Sequence, residues 1–439
     1  MTKLNLSAKE KYYLYSILLT AFILKIILAF ILSTALKSDS VTYHNLALSI
    51  LSGEYSLNGK PTAFVVCGYP VFLSAVYFIF GKGQFYIKIV QSLIEIFTCL
   101  LFFKISLNFF IIRYSLISLA IFSFLPSNLL FSQTILTESL FGFFSMLILY
   151  FCLKENFINR IFLIGIFFGC AILIRSSFSF AVVLVPLYIF IERCKLFQSR
   201  QLLNTFKFSL IFCAGLLLIL SPWLIRNKIT MSSVTLATQG GSTLWEGNNP
   251  EATGTWNKQM VENNPMFENP DEIQRDKEFY KTAINFIVHN PLKFLTLGVK
   301  KIGYLFSSER MIVLYFMNSE PGQTSTEVYK SANPLILILI NLPYFIIMIL
   351  GLWGLIILKK ERFFIYGFIC IWMFTIFIFV ALARYHYVLI PFFVLGTVNL
   401  LFHRKDFFGN ISLPKKLIGT GFTIFLIGVW ASEFYLMIK

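Results

Sequence analysis

Long apolar runs separated by short polar segments dominate this chain. Runs of about 20 residues, the length that crosses a bilayer core as a helix, recur along it. Their positions predict about eleven membrane-spanning helices, over residues 13–36, 84–106, 112–132, 136–153, 160–175, 177–192, 207–225, 332–358, 363–382, 386–402 and 417–437. The predicted fold class is therefore an all-α polytopic membrane protein.

Two longer segments lack such runs. Residues 37–83 follow the first span, and residues 226–331 follow the seventh. They divide the chain into an N-terminal membrane module (1–225, with the loop 37–83), an external loop domain (226–331) and a C-terminal set of spans (332–439).

Helical periodicity continues inside the first of these two segments. Apolar residues recur at helical spacing from Tyr43 to Leu51, which predicts a helix on the membrane surface that Gly53 ends. The run from Tyr69 to Phe80 is too short to span, so a second interfacial or re-entrant helix is expected there.

Composition and charge add the orientation. The 439 residues are 57% hydrophobic, only 13% are charged, and the net charge is +16. Residues 226–330 carry 11 Lys/Arg and 11 Asp/Glu, so the positive excess lies in the short connections. These basic residues occur in alternate loops, which predicts a cytoplasmic N-terminus and an external C-terminus and gives no indication of nucleic-acid binding. They include Lys104, Arg113, Lys154, Arg160, Arg193, Lys195, Lys359, Lys360, Arg404 and Lys405.

No cofactor or metal is expected from the residue pattern. Six of the seven cysteines lie in or beside spans, only Cys67 lies in an external segment, and the four histidines are scattered. No glycine-rich phosphate loop follows a predicted strand, so a nucleotide-binding domain is not expected either.

Asp39 is the leading candidate for chemistry. It stands in the polar segment Ser38-Asp39-Ser40, directly after the first span. A carboxylate at a membrane exit is costly to leave unsolvated and is held partly desolvated, which suits a general base. The alternative is structural: Asp39, or equally Ser38, could cap the surface helix.

Several cations and one further carboxylate share the predicted external side. Arg384 lies in the apolar frame Val380-Ala381-Leu382-Ala383, where an arginine is costly unless it is paired. Lys60, Lys82 and Arg226 are the other available cations, although each could be an interfacial anchor. Glu138 opens the fourth span, where a helix start favours an acidic residue, and Arg175 could be its partner.

Trp245 lies in a turn-rich stretch of the second external region. Its ring could stack on a sugar, but an aromatic residue beside a turn more often packs the loop onto its own domain. The packing role is favoured.

Taken in order, several pieces resemble the GT-C superfamily of membrane glycosyltransferases, and within it the bacterial relatives of protein O-mannosyltransferases and aminoarabinose transferases. The pieces extend from the first external loop to the tenth span: Asp39 with Tyr43, Gly68-Tyr69-Pro70, Leu136-Thr137-Glu138, Ile174-Arg175, Pro222-Trp223-Leu224-Ile225-Arg226-Asn227, Gly247-Asn248-Asn249-Pro250, Ala252-Thr253-Gly254 and Ala383-Arg384-Tyr385. Relatives often carry an Arg-Pro-Pro or Lys-Pro element just before the Gly-Tyr-Pro turn, and Val65, Val66 and Cys67 stand there in this chain.

The resemblance implies an inner-membrane enzyme that transfers a sugar from a polyprenyl-phosphate donor to an acceptor hydroxyl at the external face. Asp39 takes the position of the base. Arg384, Lys60, Lys82 and Arg226 are then the candidate phosphate contacts, and Tyr43, Tyr69, Glu138 and Trp245 the candidate substrate contacts. A single carboxylate base favours inversion, by analogy with glycosidases. The acceptor, whether lipid, protein or glycan, stays open.

Two other functions are compatible with the same features. An O-antigen polymerase or ligase would use external arginines, and Arg384 with His386 could serve it. A lipid or oligosaccharide transporter would explain Lys25, Lys88 and Glu95 within spans, because ionisable groups in spans often line pathways. Transporters tend to show repeated halves, and no repeat is visible here.

Overall fold

The computed structural model describes residues 6–32, 36–154, 157–193, 199–262, 264–317, 325–359, 362–402 and 411–438. Lys195, Lys360, Arg404 and Lys405, which support the predicted orientation, lie outside these ranges. Within them the chain is almost entirely helical. The α-helices are α1 (Ala8–Ile31), α2 (Asp39–Leu51), α3 (Gly68–Phe80), α4 (Gln84–Ser106), α5 (Ile112–Phe124), α6 (Pro126–Phe131), α7 (Glu138–Cys152), α8 (Ile161–Ile174), α9 (Leu184–Arg193), α10 (Ser199–Met231), α11 (Gly240–Gly247), α12 (Lys258–Glu262), α13 (Glu272–His289), α14 (Pro291–Leu305), α15 (Arg310–Phe316), α16 (Ser325–Lys330), α17 (Pro334–Ile356), α18 (Arg362–Ile378), α19 (Ile390–Phe402) and α20 (Leu413–Ile438).

Each apolar run that predicted a span is helical in the structure. Among the described residues, six helical segments are long and apolar enough to cross a membrane: Ala8–Ile31, Gln84–Ser106, Leu203–Met231, Pro334–Ile356, Ala383–Phe402 and Leu413–Tyr435. The remaining runs form apolar helices of 10–17 residues. The protein is therefore a helical, multi-pass membrane protein, while the number of eleven spans stays a prediction.

Two apolar runs begin as 3-10 helix where a continuous α-helix was expected. Residues Ser176–Val183 precede α9, and residues Ala383–Leu389 precede α19. The average hydropathy of a run cannot distinguish the two helix types, because it does not depend on how tightly the helix is wound. Both tighter segments begin beside a charged residue, Arg175 in one case and Arg384 in the other.

The first external region contains the two helices predicted for it. The surface helix α2 ends at Leu51, and Gly53 follows with φ +86°. Between α2 and α3, a two-stranded antiparallel hairpin pairs β1 (Ser56–Leu57) with β2 (Lys60–Pro61). Its Asn58-Gly59 turn has positive φ at both residues, as such hairpin turns require. This hairpin is an addition to the all-α prediction.

The two regions predicted to share one side of the membrane are in direct contact. The Glu272 carboxylate at the start of α13 accepts hydrogen bonds from the hydroxyls of Thr62 and Thr238. The backbone N–H of Thr238 donates to the carbonyl of Ala63 at 2.9 Å. These bonds join the hairpin to the loop domain.

Candidate functional site

A cavity of about 520 Å³ lies where α2, residues 65–66 and the loop domain meet the apolar helices. Its size falls within the range of small-molecule sites, roughly 300–1,000 Å³. Charged and aromatic side chains of the membrane module line it together with polar residues of the loop domain. The lining includes Asp39, Tyr43, Val65, Val66, Thr137, Arg175, Phe180, Thr235, Gln239, Gly240, Thr243, Tyr280, Trp372, Ile376, Phe379, Val380, Arg384 and Tyr385.

Asp39 is the first residue of α2, and its side chain does not cap that helix. Ser38, at the N-cap position, makes no capping hydrogen bond and has the unusual φ of +50°. The Asp39 carboxylate instead accepts a hydrogen bond from Arg384. In the structure this carboxylate therefore pairs with a residue 345 positions away, and the Ser38 side chain does not cap α2 either.

Arg384 lies near the start of the 3-10 segment Ala383–Leu389, and its side chain is only 8% exposed. One Nη atom reaches Asp39, and its Nε atom lies 3.5 Å from Glu138. That second contact is an ion pair without a hydrogen bond, since Arg384 Nε has no hydrogen-bond partner. Paired in this way, the guanidinium can occupy its apolar frame.

Glu138 and Arg175 form the pair anticipated from the sequence. The Arg175 Nη2 atom donates to Glu138 Oε1 at 2.9 Å and to the Thr137 hydroxyl at 3.2 Å. The guanidinium carbon of Arg175 also lies 4.5 Å from the ring centre of Tyr385. Hydrogen bonds and a cation–π contact thus fix Arg175 at the cavity wall.

These four residues form a row of alternating charge: Asp39, Arg384, Glu138 and Arg175. All four lie at the ends of helical segments, so the row follows from where those segments end. Burial favours the neutral form of Asp39, but the charge of Arg384 and its hydrogen bond outweigh this and hold the pKa of Asp39 below its usual value. Asp39 is thus a carboxylate in the free protein, and its side chain stays 37% exposed.

Tyr43 lies one turn after Asp39 and lines the cavity. Burial, reinforced by the charge of Asp39, raises the pKa of Tyr43 above its usual value, so it keeps its phenolic proton. Its ring packs edge-on against Tyr69 with 5.0 Å between centres. Tyr69 is fully buried, donates to Gln91 Oε1 at 2.8 Å and supports Tyr43 from behind.

The Gly-Tyr-Pro turn brings the start of α3 against the end of α8. A side chain at Gly68 would place its Cβ 2.5 Å from the carbonyl oxygen of Leu173, near the end of α8. Glycine is therefore required where α3 starts against α8. This close approach places Tyr69, whose ring packs against Tyr43 of α2, beside α8, the helix that Arg175 follows.

The cavity has a polar side and an apolar side. Gln239, Thr243 and Tyr280 of the loop domain supply groups that can hydrogen-bond a hydroxylated ligand. The apolar side consists of Ile376 and Phe379, together with Phe180, Trp372 and Val380. The motifs indicated Arg175, whereas the loop residues and Trp372 carry no sequence signal that distinguishes them from ordinary loop or span positions.

The other predicted cations do not line this cavity. Lys60 and Lys82 are exposed, the first on β2 and the second after α3. Arg226 donates to the carbonyls of Thr62 and Tyr55, each at 2.6 Å, and so fastens the hairpin onto α10. Among the described residues, the cations that line the cavity are Arg384 and Arg175. Val65 and Val66 line the wall where a basic element was expected from the resemblance.

Trp245 takes the packing role. It is 6% exposed and contacts Phe279 and Phe267 in a separate small core of the loop domain, with ring centres 5.3 Å and 6.3 Å away. It is not among the residues that line the cavity. Its neighbour Glu246 is also buried, and burial together with the charge of Asp39 raises the pKa of Glu246 to about 7.

Residues that supported the alternative functions have internal partners. His386 is fully buried, with Nδ1 3.0 Å from the Leu305 carbonyl and Nε2 3.3 Å from Glu309, so only Arg384 of that pair reaches the cavity. Lys25 donates to the Asn128 carbonyl, and Glu95 accepts from Tyr387 at 2.7 Å. Lys88 donates to the Leu32 carbonyl at 2.5 Å.

No protein-family model and no curated protein sequence matches this chain. Its fold, however, resembles solved structures. The apo oligosaccharyltransferase from Archaeoglobus fulgidus matches with a TM-score of 0.50 and 11% identity, over 98% of this chain and 56% of that one. The chain described here has the GT-C fold.

Two further structures match with lower scores. The archaeal oligosaccharyltransferase AglB from Archaeoglobus fulgidus, solved with an inhibitory peptide and a dolichol-phosphate, has a TM-score of 0.49 and 12% identity over 98% of this chain and 56% of that one. The S. cerevisiae protein O-mannosyltransferase Pmt1–Pmt2 complex, bound to the sugar donor, has a TM-score of 0.41 and 16% identity over 56% of this chain and 38% of that one. The chain thus corresponds to about half or less of the length of each of these proteins. The GT-C fold that the resemblance of the motifs implied is confirmed.

Proposed function

We propose that this protein is a membrane glycosyltransferase that moves a sugar from a polyprenyl-phosphate donor to an acceptor hydroxyl. The observation that carries the proposal is one cavity lined by a carboxylate, two arginines, a polar loop surface and an apolar membrane-facing wall. The two arginines suit a phosphate, the polar loop surface suits a sugar, and the apolar wall suits a lipid chain. The GT-C fold supports the same reaction class.

Asp39 acts as the base. Among the described residues that line the cavity, it is the one carboxylate, and its partly exposed side chain can reach an acceptor. The carboxylate takes the proton of the acceptor hydroxyl while the oxygen attacks the anomeric carbon. The bond between that carbon and the phosphate oxygen breaks, and the electron pair leaves with the polyprenyl phosphate.

Arg384 and Arg175 stabilise the departing phosphate. Arginine presents a planar fork that matches phosphate oxygens, and a partly desolvated site strengthens the interaction. In the free protein the row of two arginines and two carboxylates is electrically balanced. An incoming phosphate must therefore compete with Asp39 for Arg384.

This competition couples donor binding to base activation. While Arg384 is bonded to Asp39, the arginine stabilises the ionised carboxylate and makes it a weaker base. A phosphate that draws Arg384 away leaves Asp39 free to accept the proton of the acceptor. The donor is then expected to bind before deprotonation occurs.

The stereochemical outcome depends on how many carboxylates can reach the anomeric carbon. Retention by double displacement needs a second carboxylate as nucleophile beside the anomeric carbon. Glu138 lies behind Arg384, is 2% exposed and is bonded to Arg175, so it does not serve that role. Single displacement with inversion is the proposed course. The reaction takes place on the external side of the inner membrane, in line with the predicted cytoplasmic N-terminus.

The test compares Asp39→Asn with the wild type in purified protein. Lipid-linked sugar donors are supplied singly, and the release of polyprenyl phosphate is measured. Asparagine keeps the shape of the side chain but is not basic, so turnover should fall by about 100- to 10,000-fold. Normal turnover in a folded Asp39→Asn variant would reject the assignment.

Asp271→Asn is the matched control. Asp271 also stands at a helix start, and its carboxylate caps α13 by accepting from the backbone of Ile273 and Gln274 at 3.0 Å. Asparagine can keep these bonds. This control should have wild-type turnover and thermal stability, so it separates loss of the base from the general effect of an Asp-to-Asn change.

A further inference from the structure

The joining segment, residues 379–382, connects α18 to the 3-10 segment that carries Arg384. It also supplies Phe379 and Val380 to the cavity wall. A connection of this kind beside the membrane leaves backbone groups without helical partners, and unsatisfied groups are costly there. The partners that these groups find determine where Arg384 lies.

The loop domain supplies those partners. The side-chain amide of Asn248 donates to the carbonyl of Ile378 at 2.7 Å. The N–H of Ala381 donates to the Gly254 carbonyl at 3.1 Å, and the Ala381 carbonyl accepts from the Thr255 hydroxyl at 2.9 Å. The segment is therefore held at its start and in its middle by residues more than 120 positions earlier in the chain.

Lys301 completes this set of contacts from α14. Its ammonium donates to Asn248 Oδ1 at 2.9 Å and to the carbonyls of Phe377 and Ile378 at 3.1 Å and 3.0 Å. The side chain is fully buried. A lysine at this place caps the carbonyl end of α18 and also orients Asn248.

Close packing leaves little freedom at the contact. A Cβ at Gly247 would lie 2.7 Å from the carbonyl oxygen of Phe379 and 3.1 Å from Cε of Lys301. Gly254 has φ +98°, which side-chain-bearing residues rarely adopt. The Gly-Asn-Asn-Pro and Ala-Thr-Gly motifs thus have a physical role that the proposed chemistry does not use.

We propose that Asn248, Thr255 and Lys301 form a clamp that positions Arg384 for the donor phosphate. The clamp acts through the joining segment, and none of its three members lines the cavity, so they are positioning residues. The inference rests on the proposed function for the role of Arg384. The loop domain is then a part of the catalytic site, because without it the segment that carries the phosphate ligand is not fixed.

The first test needs no activity. Hydrogen–deuterium exchange of Lys301→Met in nanodiscs should speed exchange at residues 379–385 by about tenfold or more, as expected for local opening. The Ala381 amide, bonded to Gly254, is the direct reporter. Lys300→Met is the matched control, because Lys300 is the exposed neighbour on the same helix and should leave exchange unchanged.

The second test is kinetic. A small displacement of a phosphate ligand can cost about 100-fold, so kcat/KM for the donor should fall by roughly 10- to 100-fold in Lys301→Met. In an Arg384→Ala background the same change should cost less than about twofold, because the residue through which the clamp acts is gone. Lys301→Arg should restore part of the loss.

Each result decides the inference. Unchanged exchange at 379–385 in folded Lys301→Met overturns it, and so does a kinetic loss that is equally large without Arg384. If Lys301→Met does not fold, Thr255→Val, which removes only the hydroxyl that reaches Ala381, is measured in the same two ways. If the wild type uses no lipid-linked donor, the proposed function fails, and the exchange result still decides whether the clamp holds the segment.

Discussion

Replacing Arg384 by Gln tests how much the ion-pair row contributes to stability and how much it contributes to catalysis. The change removes the guanidinium from between Asp39 and Glu138. Breaking a buried pair costs about 3–5 kcal/mol. Here Glu138 keeps Arg175 at 2.9 Å, and Asp39 is 37% exposed and can be hydrated. The cost to the free energy of unfolding should therefore be smaller, about 1–2 kcal/mol after discounting for solvent.

The catalytic effect should be larger than the structural one. Loss of a preorganised donor to a developing anion typically lowers kcat by about 100- to 1,000-fold. Arg384→Lys should lie between the wild type and Arg384→Gln, since lysine keeps the charge but loses the fork. The assay is release of polyprenyl phosphate by purified protein at saturating donor, with thermal unfolding measured in the same detergent.

The pH profile gives a second readout. Because Arg384 holds the pKa of Asp39 low in the donor-free protein, wild-type kcat/KM for the donor, measured at subsaturating donor, should persist as the pH falls, until Asp39 is protonated below its usual range. In Arg384→Gln the acid limb should move to higher pH. Turnover near the wild-type value in a stable Arg384→Gln variant, with the acid limb unmoved, would refute the reasoning.

Three further predictions concern residues outside the reacting centre. Trp245→Ala should lower the free energy of unfolding by about 3–5 kcal/mol and leave donor KM unchanged in protein that stays folded; a raised KM would point to a sugar contact. Arg226→Met should reduce thermal stability, since the hairpin loses its bonds to α10, without changing donor saturation; a selective loss of saturation would restore Arg226 as a phosphate ligand. Glu246 has its pKa raised to about 7, so its stabilising effect is present at low pH and lost as the pH rises toward 7. Glu246→Gln should therefore raise the melting temperature at pH 8 and not at pH 4; a gain of equal size at both would contradict the assigned cause.

Much of the fold could be predicted, because in a membrane protein the long apolar runs of the sequence mark where the helices lie. The helix Gln84–Ser106 has the predicted bounds, and α2 and α3 lie where periodicity indicated. The pairing of Glu138 with Arg175 was also predictable, since an unpaired charge at the end of an apolar helix is costly and the two were predicted on the same side of the membrane. The 3-10 starts and the short hairpin were missed, because they depend on local geometry that average hydropathy does not report.

The joining of Asp39 to Arg384 could not be predicted from either neighbourhood. Each residue was a separate candidate, and Asp39 next to Ser38 has the pattern of a helix cap. Their contact depends on how the helices pack across 345 positions of sequence. For the same reason Lys60 and Lys82 remained candidates, since sharing a side of the membrane does not show which cations face a common cavity.

The central claim is that the cavity binds the phosphate of a polyprenyl-linked donor between the two arginines. The most direct measurement is a cryo-electron microscopy structure of the purified protein in nanodiscs with a polyprenyl phosphate added. The account predicts headgroup density bonded to Arg384 and Arg175, with Arg384 drawn away from Asp39 and the lipid chain against Ile376 and Phe379. A headgroup bound elsewhere, with the bond between Arg384 and Asp39 intact, would contradict it.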